Sequence, residues 1–269
     1  MAKKALNEMS FLDHLEELRW LLVRSSAAIV IMGIVSYFFA DYIFSDLIFG
    51  PTDPSFITYR FFCEASHYLG FADSICITEL NFIIQNTQME GQVNIFVWVC
   101  ITAGFILAFP YILWELWKFI SPALYEKEKK NAKLFIFVAS ILFFFGVLFG
   151  YFVIVPMSVN FLATFSISSV VKNQFSIDSY VSMVKTAVIA CGLYFELPII
   201  IYFLTKLGLV GPNFLRKYRK YAVVIILIIA AIVTPPDVVS QITVAVPMMI
   251  IYEGCIWISA VVEKNNNER

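Results

Sequence analysis

Six stretches of this chain, residues 21–40, 95–119, 134–156, 181–204, 221–233 and 239–262, are almost continuously apolar. Most exceed what a soluble core element needs and match the roughly 20 residues that carry a helix across a bilayer. They predict an all-α integral membrane protein with six transmembrane helices. Composition agrees: 60% of the 269 residues are apolar and 14% charged, with a mean hydropathy of +0.81, outside the range of a soluble domain. The runs lack the alternation of strand period, which argues against a membrane barrel.

Charge sets the expected orientation, because Lys and Arg near the ends of spans stay on the cytoplasmic side. With the N-terminus inside, that side collects all of the 19 Lys and Arg except Arg60, Lys172 and Lys185. Both termini are therefore expected in the cytoplasm and the chain in the inner membrane. The first apolar run follows about twenty polar or amphipathic residues, so it reads as a signal anchor and not as a cleavable leader.

The fifth run is the shortest. Thirteen residues make about 20 Å of helix against a hydrocarbon core of roughly 30 Å. The sixth apolar core is hemmed between Gln241 and Glu253, so helices five and six are both expected to be short, with the bilayer thinned beside them. Pro110, Pro198 and Pro247 lie within spans and Pro156 at the end of one; each removes a backbone donor and can bend its helix, favouring a concave bundle over a straight one. No internal repeat of the kind used by inverted-repeat transporters is visible.

Glu196 interrupts the fourth run. A carboxylate at membrane depth costs roughly 2.5 kcal/mol or more, so it is expected to face a bundle interior, a partner or a wet cavity. Ahead of the first run, Ser10-x-x-Asp13 has the form of a capping box and predicts a helix start. Phe11, Leu15, Leu18 and Leu22 recur on one helical face, with Asp13, Glu16 and Glu17 on another, predicting a segment that lies in the interface before turning into the membrane. Residues 41–93 form a long external loop with Pro51, Pro54 and many aromatic residues, expected to fold into short helices. Cys100, Cys191 and Cys255 fall in spans as small buried thiols. Cys63 and Cys76 share the external loop, where an oxidising compartment permits a disulfide. No metal-ligand spacing is present. His14 and His67, the only histidines, are expected on opposite sides of the membrane, which argues against a His-based catalytic pair or multi-His metal site.

Three segments carry a family resemblance: Phe11-Leu-Asp-His-Leu-Glu-Glu-Leu-Arg19, Trp114-Glu-Leu-Trp-Lys-Phe-Ile-Ser-Pro-Ala-Leu-Tyr-Glu-Lys-Glu128 and Thr234-Pro-Pro-Asp-Val-Val-Ser-Gln241, with Phe195-Glu-Leu-Pro198 as a fourth match. In this order, and on six spans, they resemble TatC, the multi-spanning receptor subunit of twin-arginine protein translocases. The resemblance extends over everything except the external loop and the polar tails. It implies a single glove-like membrane domain, 1–269, that binds twin-arginine signal peptides of folded cargo. It also implies assembly of several copies with TatA- and TatB-type single-span subunits in the lipid membrane, driven by the protonmotive force. No catalysis, cofactor, metal or nucleic-acid partner is implied.

By the same resemblance Glu17 and Glu128 receive the two arginines, with Arg19, Phe119, Pro122 and Leu124 on the same surface. The residue type suits the task, because a guanidinium presents a planar fork that a carboxylate accepts bidentately. Without the resemblance, Glu17 also suits an early helix turn and Glu128 a solvated pairing with its lysine neighbours. A basic residue common in the family two positions after Arg19 is replaced here by Leu21, and Arg24 is the nearest substitute. Glu196 and Pro198 are implied on the concave face. Thr234, Asp237 and Gln241 are implied at a site for partner helices, although Thr234-Pro-Pro-Asp237 is equally a plain turn. Pro51 matches a position tied to external-loop structure. Glu253 also matches, with no role implied. The rival reading is a proton-coupled small-solute secondary transporter using Glu196.

Overall fold

The computed structural model describes residues 11–68, 80, 82–120, 132–168, 172–234 and 238–267. The first helix, α1 (Phe11–Phe38), is followed by a short helix (Ala40–Tyr42), a π-helical turn (Ile43–Ile48), a 3-10 turn (Gly50–Thr52) and α2 (Ile57–Tyr68). Next come β1 (Ile83–Gln85), α3 (Gly91–Ile120), and α4 (Ala132–Phe149), which runs through a π-helical turn (Gly150–Ile154) into α5 (Val155–Thr164). β2 (Gln174–Ser176) precedes α6 (Ile177–Tyr194), α7 (Leu197–Lys206), α8 (Pro212–Lys217), α9 (Arg219–Val233) and α10 (Val238–Asn267).

Among the described residues, five helical segments are long and apolar enough to cross a membrane: His14–Phe38, Gly91–Ile120, Lys133–Thr164, Ile177–Lys206 and Ser240–Lys264. They cover five of the six predicted runs. The remaining run folds as α9, a helix of 15 residues, about 22 Å long at 1.5 Å per residue.

Two expectations are corrected. The sixth helix is not short, since α10 runs for 30 residues. Glu253 lies within it, and Arg219 Nη2 donates to Glu253 Oε2 at 2.8 Å, giving the carboxylate a partner on α9. Nor does the amphipathic N-terminal segment turn before entering the first span. From Phe11 to Phe38 the helix is continuous, because no Gly or Pro precedes Gly33 to break it.

The prolines act unequally. Pro110 and Pro247 sit inside unbroken helices, and Pro156 closely follows the π-helical turn Gly150–Ile154 in a helix that continues through it. Pro198, in the first turn of α7, follows a break in the helix within a span. There the Glu196 N–H bonds back to the Leu193 carbonyl at 3.2 Å, and the Glu196 carbonyl accepts from Ile199 and Ile200.

The helices fall into two compact units whose boundaries along the chain lie in the π-helical turn Ile43–Ile48, near the start of α3, and within α4. The first comprises residues 1–43 and 93–142. In it, a Cβ at Gly104 would stand 2.6 Å from both the Gly33 nitrogen and the Ile29 carbonyl oxygen, so α1 and α3 meet backbone to backbone. Lipid supplies no hydrophobic force between helices, and close van der Waals packing takes that role.

The second unit comprises residues 44–92 and 143–269. Gly146 and Gly150, four residues apart, let α4 approach α6: Cβ atoms there would lie 2.6 Å from the Cys191 oxygen and 2.8 Å from the Ala187 oxygen. Outside the spans, the predicted short helices are present. Tyr59, buried, shares its hydroxyl between the Pro51 carbonyl at 2.8 Å and the Pro156 carbonyl at 3.2 Å, and burial pushes its phenol above the ordinary range. Thr58 donates to Phe152 O and Tyr180 to Ile48 O. Cys63 is disulfide-bonded, and Cys76 lies outside the described residues. A parallel ladder pairs Ile83 with Gln174 and Gln85 with Ser176, a small addition to the all-helical expectation.

Candidate functional site

Two polar regions stand out, one in each unit. In the first, α1 and α3 run antiparallel in a register marked by four contacts. His14 stacks on Phe119 with ring centroids 4.6 Å apart. Arg24 Nη1 donates to Glu115 Oε2 at 3.3 Å. Gly33 meets Gly104, and Tyr37 packs edge-on against Phe96.

Glu115 is only 3% exposed and has a partner on each oxygen, since Lys118 Nζ donates to Oε1 at 2.6 Å. The two cations are half-exposed, at 52% and 49% of their side chains. Each also lies over an indole, Arg24 near Trp20 and Lys118 near Trp114. This triad was absent from the sequence-based candidates. Its signal was present: Glu115 is a carboxylate inside an apolar run, with Lys118 at the i+3 spacing that pairs on a helix.

Glu17 and Arg19 are exposed on the first turns of α1. Among the described residues, neither takes part in an ion pair. By helical period Glu17 shares a face of α1 with His14 and Arg24. Phe119 is half-buried at the end of α3. Pro122, Leu124 and Glu128 lie outside the described residues.

In the second unit Glu196 is 6% exposed at the break between α6 and α7, and its Oε1 has no hydrogen-bond partner among the described residues. Pro198 follows it, half-buried. Tyr194, two residues earlier, donates to the Met248 carbonyl at 2.9 Å, and Thr205 donates to Ser259 Oγ at 3.0 Å, so neutral hydrogen bonds tie both α6 and α7 to α10. Thr234 is buried and closes α9 by donating to Ala230 O. Gln241 Nε2 donates to the Leu227 carbonyl at 3.1 Å, which gives the amide a partner on α9. Asp237 lies outside the described residues. Pro51 is buried in the first turn of its 3-10 segment. Among the described residues, no group of three His, Cys, Asp or Glu side chains is placed to hold a metal.

Apolar helices of membrane length, joined by glycine contacts and a few satisfied polar groups, define a multi-span helical membrane protein. The profile of "Sec-independent protein translocase protein (TatC)" matches residues 13–247. The chain is 44% identical over 267 residues to the Sec-independent protein translocase protein TatC of Blattabacterium sp. subsp. Periplaneta americana, covering 97% of this chain and 99% of that one. It is 31% identical over 261 residues to TatC of Aquifex aeolicus, covering 97% and 98%. Its fold is similar to a crystal structure of the twin arginine translocase receptor TatC, with a TM-score of 0.72 and 31% identity over 93% of this chain and 99% of that one. The chain belongs to the TatC family and is a non-enzymatic component of the twin-arginine translocase.

Proposed function

We propose that this chain is the receptor core that binds twin-arginine signal peptides of folded cargo at the cytoplasmic face of the inner membrane. Both termini are cytoplasmic, and α9 serves as a sixth, undersized span. Glu17 and Glu128 accept the paired guanidiniums, and Arg19, Phe119, Pro122 and Leu124 border them. Glu196 and Pro198, with Thr234, Asp237 and Gln241, meet the single helices of TatA- and TatB-type partners. Pro51 holds the external loop, and the protonmotive force drives export.

The observation that carries this reading is the contrast between two carboxylates of the first unit, Glu115 and Glu17. Glu115 is buried and has a cation on each oxygen, whereas Glu17 is exposed and free to accept a fork of N–H donors. Beside it the His14–Phe119 stack supplies an apolar edge. Capture of a twin-arginine peptide by photocrosslinking in membranes tests the reading. Glu17→Ala and Glu128→Ala should each abolish capture while the protein stays in the membrane, and unchanged capture by both would refute it. The unpartnered Oε1 of Glu196 is what would favour solute transport; robust small-solute uptake by proteoliposomes holding this chain alone would move the assignment there.

A further inference from the structure

We propose that Glu115 is a positioning residue: the Arg24–Glu115–Lys118 triad fixes the first turns of α1 on the end of α3 and so sets where the Glu17 carboxylate stands. The inference rests on the receptor reading of Glu17.

The stretch of α1 that carries Glu17 has no glycine contact of its own, since the backbone-to-backbone approach of α1 and α3 lies further along, at Gly33 and Gly104. From Gly33 back to Glu17 is about 24 Å of helix at 1.5 Å per residue, a lever on which a small change of angle moves the carboxylate by ångströms. Among the described residues, an ion pair and a ring stack pin that lever to α3, the Arg24–Glu115 pair at 3.3 Å and the His14–Phe119 stack at 4.6 Å. They lie on either side of Glu17, on the same face. The stack is an exposed contact of a helix end, so the charged pair is the firmer one, and it is firm for a physical reason. Glu115 cannot remain buried without both cations, so Arg24 is drawn to a fixed point on α3. Lys118 occupies the other oxygen and prevents the carboxylate from turning away. Glu115 itself has no free face for a peptide arginine. Bidentate recognition requires an orientation good to fractions of an ångström, and the triad supplies it from one turn inside the helix pair.

Capture of a twin-arginine peptide that carries a photoprobe beside its arginines, with Glu17 left in place, tests this in the full chain in native membranes. A cysteine pair, Tyr37→Cys with Phe96→Cys, reports in parallel whether the far ends of α1 and α3 still pair. Glu115→Gln should lower capture about tenfold with the cysteine crosslink unchanged, and inverting all three charges, Arg24→Glu and Lys118→Glu with Glu115→Arg, should recover most of it. Recovery separates positioning from direct contact, because an arginine at 115 repels the peptide. Wild-type capture by Glu115→Gln overturns the proposal, while Glu17→Ala losing capture in the same assay leaves the receptor reading intact. Loss of the cysteine crosslink makes Glu115 a folding residue, and failure of the exchange with that crosslink intact makes it a direct contact; either result also overturns the proposal. Unchanged capture by Glu17→Ala defeats the receptor reading itself, and this inference with it.

Discussion

Glu115 and Glu196 are carboxylates buried to a similar degree, 3% and 6% exposed, in helices of comparable apolarity, yet the chain treats them in opposite ways. Glu115 has a cation on each oxygen and sits in an unbroken helix. Glu196 leaves Oε1 without a partner and sits where its helix is interrupted. The first arrangement uses a charge to lock two helices together. The second leaves a polar oxygen unmet among the described residues, the observation that supports the proposal of a partner helix at Glu196, whereas Glu115 serves as scaffold. Burial alone does not separate these roles; the partner list does.

The contrast has measurable consequences. Removing both cations, Arg24→Met with Lys118→Met, strands Glu115 without compensation and should destabilise the chain in detergent by about 3 kcal/mol. Removing the carboxylate leaves only half-exposed cations that water can take over, and Glu115→Gln should cost about 1 kcal/mol or less. Thermal unfolding that ranks these the other way would break the scaffold account of the triad. In the second unit the neutral ties are weaker, and Tyr194→Phe, which loses the bond to Met248, should cost about 0.6 kcal/mol. The smallest effect is expected at Glu196. With Oε1 unpartnered there is little to lose, so Glu196→Gln should leave unfolding unchanged within about 0.5 kcal/mol while weakening crosslinking to a single-span partner. A large loss of stability in that variant would mean Glu196 is a structural ligand after all.

Much of this was legible in the chain. The apolar runs became helices with boundaries shifted by a few residues, except that α1 begins earlier, the fourth run is split at Glu196, and the third run continues through a π-helical turn to Thr164. The short fifth run stayed short because Tyr218 and Thr234, which flank it, both leave helical geometry. Pro110, Pro198 and Pro247 look alike as prolines in apolar runs, but only the helix carrying Pro198 is interrupted, a distinction set by local packing and invisible to composition. The three-residue strands have no period to detect, and their partners lie far apart in the chain. Glu115 is different in kind: the cost of a carboxylate at membrane depth points to it as directly as to Glu196, and its neighbour Lys118 offered a ready partner. Arg24, 91 residues away in sequence but adjacent in space, could be found only from the fold.

The most direct test of the central claim is photocrosslinking in the assembled translocase with the probes on the ligands, so that Glu17 and Glu196 stay in place. A probe beside the arginines of a signal peptide should label the stretch of α1 around Glu17, and a probe in a single-span partner helix should label the stretch around Glu196. Labelling by the peptide around Glu196 with none around Glu17 would contradict it.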